Sequence, residues 1–212
     1  MQTTRTPRAR LAAVAGPVLA AVGALTRPYV ANILDTAAMA QLATAAPTRW
    51  VAGSVLLASG FALSALALGT VSRAFVARTS NRSGQLIMPA AVLGASAMGY
   101  QFGASGIGVY GTATSGGDVA QYLAHAARWE TPVFVTAVAI LGVAWITAAW
   151  AAADAGLVTG RRAMVAKIAA VVAVAAFLIP STAGEYASIA AIAVLLHMLS
   201  TARDRDPVPA AR

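Results

Sequence analysis

Residues Trp50–Val71 read WVAGSVLLASGFALSALALGTV, 22 consecutive positions without a charged side chain, bounded by Arg49 before and Arg73 just after. As a helix this stretch rises about 33 Å, enough to cross the ~30 Å hydrocarbon core of a bilayer. A soluble protein would have to bury every face of such a helix, and the rest of the chain offers too little polar surface to do so. Of the 212 residues, 59% are hydrophobic and 10% charged, with a mean hydropathy of +0.73. Soluble domains carry about 25% charged residues. Most of the surface must therefore face lipid, and the bilayer is the first partner that the sequence implies.

Working outward from Trp50–Val71, five further apolar stretches are expected to span. They are Leu11–Thr26, Leu86–Tyr110, Pro132–Ala153, Ala163–Ile179 (stopped by Pro180) and Tyr186–Leu199. The first extends past Arg27 towards Leu34 if that arginine snorkels to the interface. Asp35–Thr48 is alanine-rich and suits a short interfacial helix, and Gly111–Thr131 is the longest connection. The expected fold is all-α and membrane-integral: one domain over residues 1–200, a bundle of six transmembrane helices. A disordered, charged cytoplasmic tail follows at 201–212. Arg5, Arg8 and Arg10 ahead of an apolar run give the outline of a signal peptide. The five spans that follow favour an uncleaved first helix.

The net charge of +8 would suit nucleic acid, but the basic residues sit in small groups at the ends of apolar runs, which is the signature of membrane topology. With the N-terminus inside, the cytoplasmic side holds Arg5, Arg8, Arg10, Arg73, Arg78, Arg82, Arg161, Arg162, Lys167, Arg203, Arg205 and Arg212. The outer side holds Arg27, Arg49 and Arg128. Twelve against three, alternating loop by loop, gives six spans with both ends in the cytoplasm of a cell inner membrane. Spans one to three and four to six would then be related by inverted topology, as in many transporters.

Within the third span, Ala95, Gly99 and Gly103 recur every four residues. Small residues on one face let helices approach closely in lipid. They predict packing inside the bundle, a cavity wall, or a face for a second copy or membrane partner. Leucine at Gly99 or Gly103 is expected to disrupt that packing, and leucine at Ala91 to be tolerated.

Ionisable groups at membrane depth are costly and mark function. None falls at the centre of a span; Asp35, Asp118, His125, Arg128, Glu130 and Glu185 gather at the outer ends. A site would therefore open at the outer side, between Gly111–Thr131 and the start of the sixth span. Glu130 lies in the run RWETP, residues 128–132. Buried beneath Trp129, it would favour its protonated form and serve as a proton donor. Alternatively, Arg128 pairs with it while Thr131 caps a helix begun by Pro132. Glu185 either closes a capping box with Thr182 or acts as a second acid. Tyr100, Phe102, Tyr110, Trp129, Phe134 and Tyr186 are the aromatic candidates for substrate contact, and Gln101 adds a polar side chain to the same stretch of the third span.

No metal or cofactor is expected. The chain has no cysteine, and His125 and His197 fall on opposite sides of the bilayer, so they cannot share one ion. Lys167, the only lysine, lies one turn from Arg161–Arg162, where snorkelling explains it. Asp154 is placed to pair with Arg161 or Arg162. No glycine loop for phosphates and no nucleophilic serine motif is present.

The pair Trp129-Glu130 with Phe134 nearby resembles the small membrane-integral terpene cyclases of fungal meroterpenoid and actinobacterial indole-terpenoid pathways. The resemblance implies that acidic side chains protonate an olefin or epoxide while aromatic faces shelter the cation. Glu130 then matches the tryptophan–glutamate pair, and Glu185 is the candidate second acid. A membrane-embedded enzyme on a hydrophobic isoprenoid-type substrate is the leading reading. A small transporter and a non-catalytic accessory subunit are the alternatives.

Overall fold

The computed structural model describes residues 7–76 and 82–202. Arg5, Arg78, Ser80 and the expected tail beyond Ala202 lie outside the described residues. Among those described there is no strand. Seven α-helices form: α1 (Pro7–Thr26), α2 (Thr36–Ala45), α3 (Pro47–Val76), α4 (Ile87–Thr114), α5 (Val119–Asp154), α6 (Gly160–Phe177) and α7 (Thr182–Ser200), with a 3-10 turn over Arg82–Leu86 before α4. Among the described residues, four helical stretches are long and apolar enough to cross a membrane: Pro47–Ser72, Gly84–Thr114, Val119–Asp154 and Thr182–Ser200. Leu11–Thr26 is apolar but shorter, and α6 carries Arg161, Arg162 and Lys167 in its 18 residues.

The short helix expected within Asp35–Thr48 is α2, started by the Asp35 carboxylate, which accepts from Ala38 N at 2.9 Å. The expected start at Pro132 is corrected. Asp118 caps α5 by accepting from Gln121 N at 3.0 Å, and the helix runs 36 residues straight through Pro132. Proline forfeits the bond to the carbonyl four residues back and crowds that carbonyl with its ring, but neighbouring helices hold such a segment together in a bundle. Thr131 is consequently no cap, and the break between α4 and α5 shrinks to residues 115–118, with Gly116 at φ +75°.

Helices α1, α3, α4, α5, α6 and α7 pack each on the next, and α7 returns to α1, closing a ring. The connections after α4, α5 and α6 span four or five residues, so those neighbours run antiparallel. In α1 and α3 the direction follows from the contacts: Gly23 faces Leu57 and Gly53, while Gly16 faces Ser64. The odd-numbered α3, α5 and α7 also touch one another inside the ring. Phe177 of α6 sits between α3 and α5, with Phe61 at 5.2 Å, Phe134 at 6.1 Å and Trp145 at 6.3 Å between ring centroids.

The close-packed glycines are not those the third span suggested. Gly99 and Gly103 meet nothing within 4 Å and lie on the outer face of α4, whereas Ala91 is fully buried. On α4 the glycines with close neighbours are Gly94, against Leu141, Gly106, against Ser54, and Gly108, against Tyr122. The tightest seam is α1 with α3. An added Cβ at Gly23 would stand 2.5 Å from Leu57 N, one at Gly16 2.6 Å from Ser64 N, and one at Gly60 would collide with the backbone of Ala20.

Two ties order the ends of the bundle. Ile33 N donates to Pro180 O, and Val30 and Thr182 exchange two bonds (Val30 N to Thr182 Oγ1, Thr182 N to Val30 O), all at 2.9 Å. The segment after α1 is thus strapped to the α6–α7 turn. At the other end, Arg162 Nη2 donates to Thr201 Oγ1 at 2.7 Å, joining the start of α6 to the end of α7. Arg162 is therefore engaged by Thr201, and no ion pair joins it or Arg161 to Asp154 among the described residues.

Candidate functional site

The strap, the starts of α3, α5 and α7, and the ends of α4 and α6 enclose a cavity of about 310 Å³, within the roughly 300–1,000 Å³ of small-molecule sites. It lies beneath α2, at the end of the bundle opposite the Arg161–Arg162 turn. Glu130 and Glu185 both line it, as do Phe102 and Phe134. Four of the sequence-derived site residues thus meet in one place.

Arg27 joins them. Snorkelling to the interface would have carried it outwards and lengthened the first span, but it is only 8% exposed, and its Nη1 lies 3.5 Å from Glu185 Oε1. The strap explains the reversal. The chain turns across the bundle end directly after α1, so Arg27 faces the axis and not the lipid. Its guanidinium carbon lies 4.9 Å from the Trp50 ring centroid and 5.7 Å from that of Phe102. Aromatic faces offset part of the desolvation of a buried cation but accept none of its N–H bonds. At 3.5 Å the contact with Glu185 is longer than the 2.7–2.9 Å of a close charged bond, and Arg27 Nε is buried without a partner. The guanidinium therefore retains donors for an acceptor in the cavity.

Glu185 closes no capping box with Thr182. Ser181 is the cap, its Oγ accepting from Gly184 N at 3.2 Å, and Thr182 Oγ1 is taken by Val30 N. The helix begins one residue earlier than the box requires, which moves Glu185 past the capping position and turns it towards Arg27.

Glu130 makes no ion pair with Arg128; among the described residues the ion pair is Arg27–Glu185. Instead Gln101 Nε2 donates to Glu130 Oε2 at 3.2 Å, and Ser105 also contributes a hydrogen bond. Gln101 Oε1 is buried and unpartnered. Cavity and bonds together show a carboxyl group facing apolar and aromatic surface, held by neutral donors from α4.

Four aromatic candidates fall elsewhere. Trp129 is 73% exposed and does not cover Glu130. Successive helix residues are 100° apart, so turning Glu130 inward turns Trp129 out. The same geometry sends Tyr100 outward while Phe102 points in, and Tyr110 is also exposed. Tyr186 donates from its hydroxyl to Ala24 O at 3.3 Å and lines a shallow apolar groove between α1 and α7, apart from the cavity. The residues that sequence reasoning missed are Arg27, Trp50, Ser54, Ser105 and Phe177. Arg27 and Glu185 were visible as opposite charges at the same bundle end, but only the α1–α7 contact pairs them.

His125 and His197 are exposed at opposite ends, and no group of three or more metal-ligating side chains occurs among the described residues. The cavity offers one acid held by neutral donors, one arginine with its counterion, and four aromatic faces: Trp50, Phe102, Phe134 and Phe177. No protein family, no curated protein and no solved structure matches the chain.

Proposed function

We propose that the chain is a six-span protein of the cell inner membrane with both ends cytoplasmic, and that its outer cavity is the active site of an enzyme acting on a hydrophobic isoprenoid-type substrate. Two features support counting α1 and α6 as spans. Each stands in the ring between long apolar helices. Moreover, α6 starts where α7 ends and ends where α7 starts, covering about 27 Å in 18 residues, close to a hydrocarbon thickness. The twelve-to-three basic asymmetry then places the cavity outside. Exposed Trp129, Tyr110 and Tyr29 at that end suit an interfacial aromatic belt.

The observation that carries the enzymatic reading is Glu130: a carboxyl group without a cationic partner, in an aromatic-lined cavity. Protonated, it delivers its proton to a substrate double bond. The π electrons form the new C–H bond and leave a cation on the neighbouring carbon. The faces of Phe102, Phe134 and Phe177 stabilise that cation while a second double bond of the substrate closes the ring. Loss of a proton to the Glu130 carboxylate then restores the acid, so the sequence is a net isomerisation, an acid-initiated terpene cyclisation. Glu185 acts as the counterion of Arg27, and Arg27 orients any oxygen on the substrate.

The test is lipid-soluble metabolite profiling of a host that makes isoprenoid precursors, with and without the chain. New cyclic products isomeric with a supplied precursor are expected. An unchanged profile across linear precursors, with protein present in the membrane, would refute the cyclase reading.

A further inference from the structure

Most of the residues that line the cavity are buried or half-buried. Towards water it is covered by Met39 and Thr36 of α2 and by the strap, which three backbone-anchored bonds hold to residues 180–182. Its floor is aromatic. The exposed lining residues are Leu34, Thr131, Val135 and Leu178, and the last three flank the seam between α5 and the end of α6. None is charged. Val135 is 50% and Leu178 61% exposed.

The depth of this opening follows from helix geometry. Val135 lies 19 residues before the end of α5 at Asp154, about 29 Å along the axis. Leu178 follows directly on the 18 residues of α6, about 27 Å from its start. Both distances match one hydrocarbon thickness of ~30 Å. With Asp154 and the start of α6 at the inner edge of the apolar layer, as the six-span reading has them, the mouth stands at its outer edge, and exposed Trp129 lies about 9 Å further out at headgroup level.

We infer that the α5–α6 seam is a lateral portal through which the site takes its ligand from the outer leaflet, and that this ligand is a membrane-dissolved amphiphile. Its hydrocarbon chain lies in the portal against Val135 and Leu178, and its hydrogen-bond-accepting head reaches Arg27. The inference rests on reading the cavity as a substrate site. It adds a route and a partition preference: the ligand arrives from lipid, and the aqueous end stays shut.

The chain lacks cysteine, so Ser105→Cys places one thiol on the cavity wall. In nanodiscs, open to water on both faces, its modification is followed with two probes: dodecylmaleimide, which dissolves in the bilayer, and a sulfonated maleimide confined to water. The alkyl reagent is expected to react faster by about tenfold or more. Val135→Trp and Leu178→Trp, each at a position already half-exposed, are expected to slow it by a similar factor. Leu25→Trp, on the α1–α7 face, should leave its rate unchanged. Equal rates for the two reagents, no slowing by either plug, or no modification of the folded variant by either reagent would overturn the portal. No turnover is needed, so a working portal with no product removes only the chemistry, and product formation with indifferent plugs removes only the route.

Discussion

The α1–α3 seam makes a quantitative prediction that separates two sets of glycines. At Gly60 a methyl group would meet the backbone of Ala20, and at Gly23 it would stand 2.5 Å from Leu57 N and 2.7 Å from Gly53 O. Carbon atoms pack best at about 3.5–4.0 Å, so the helices must part by roughly 1 Å. The obstructing atoms are backbone and cannot rotate aside. Overpacking of this kind costs about 1–3 kcal/mol, with backbone obstruction placing these sites near the upper value. That outweighs the ~0.5–1 kcal/mol an alanine gains over glycine within a helix. At ~2–4 °C per kcal/mol for a chain of this size, Gly23→Ala and Gly60→Ala should each lower Tm by several degrees. Gly99→Ala and Gly103→Ala, with nothing within 4 Å, should melt at or slightly above wild type. The assay is thermal unfolding of the purified proteins in one detergent, followed by circular dichroism. Gly99→Ala and Gly103→Ala falling as far as Gly60→Ala, or Gly23→Ala and Gly60→Ala melting like wild type, would refute the packing reasoning.

Glu185→Gln leaves the buried Arg27 cation without its counterion and should cost about 3–5 kcal/mol. Arg27→Gln combined with Glu185→Gln should recover most of that loss, which the same melts would read; a double variant no better than Glu185→Gln would rule out the charge explanation. Cysteine at Thr114 should react with an impermeant maleimide added to intact cells, and cysteine at Thr159 only after lysis; the reverse pattern would invert the topology. Thr182→Val removes the acceptor for Val30 N and should destabilise by roughly 1–3 kcal/mol, with faster proteolysis at the strap as a second readout.

The helical architecture was readable because a bilayer imposes length and apolarity on each segment, as Trp50–Val71 illustrates. The start of α5 was not, since Pro132 reads as a helix beginning in isolation and only tertiary packing carries the helix through it. The spacing of Gly99 and Gly103 marks a small-residue face without saying which side of α4 it occupies. The equally small Gly16, Ala20 and Gly23 prove to be the buried set. Glu130, Glu185, Phe102 and Phe134 could be chosen by residue type and bundle end. Arg27 could not, because its inward turn depends on bonds between residues 30–33 and 180–182, some 150 positions apart.

Glu130→Gln tests the proposed chemistry most directly. The amide keeps the size of the carboxyl group and leaves the Arg27–Glu185 pair untouched, so the fold and melting temperature should stay near wild type. It has no acidic proton to give. Wild type and variant, reconstituted side by side in nanodiscs, are supplied with linear isoprenoid precursors, and cyclic products are quantified. Product from wild type and none from a folded Glu130→Gln is the expected result. Equal product formation by both would contradict Glu130 as the acid on which the proposed function rests.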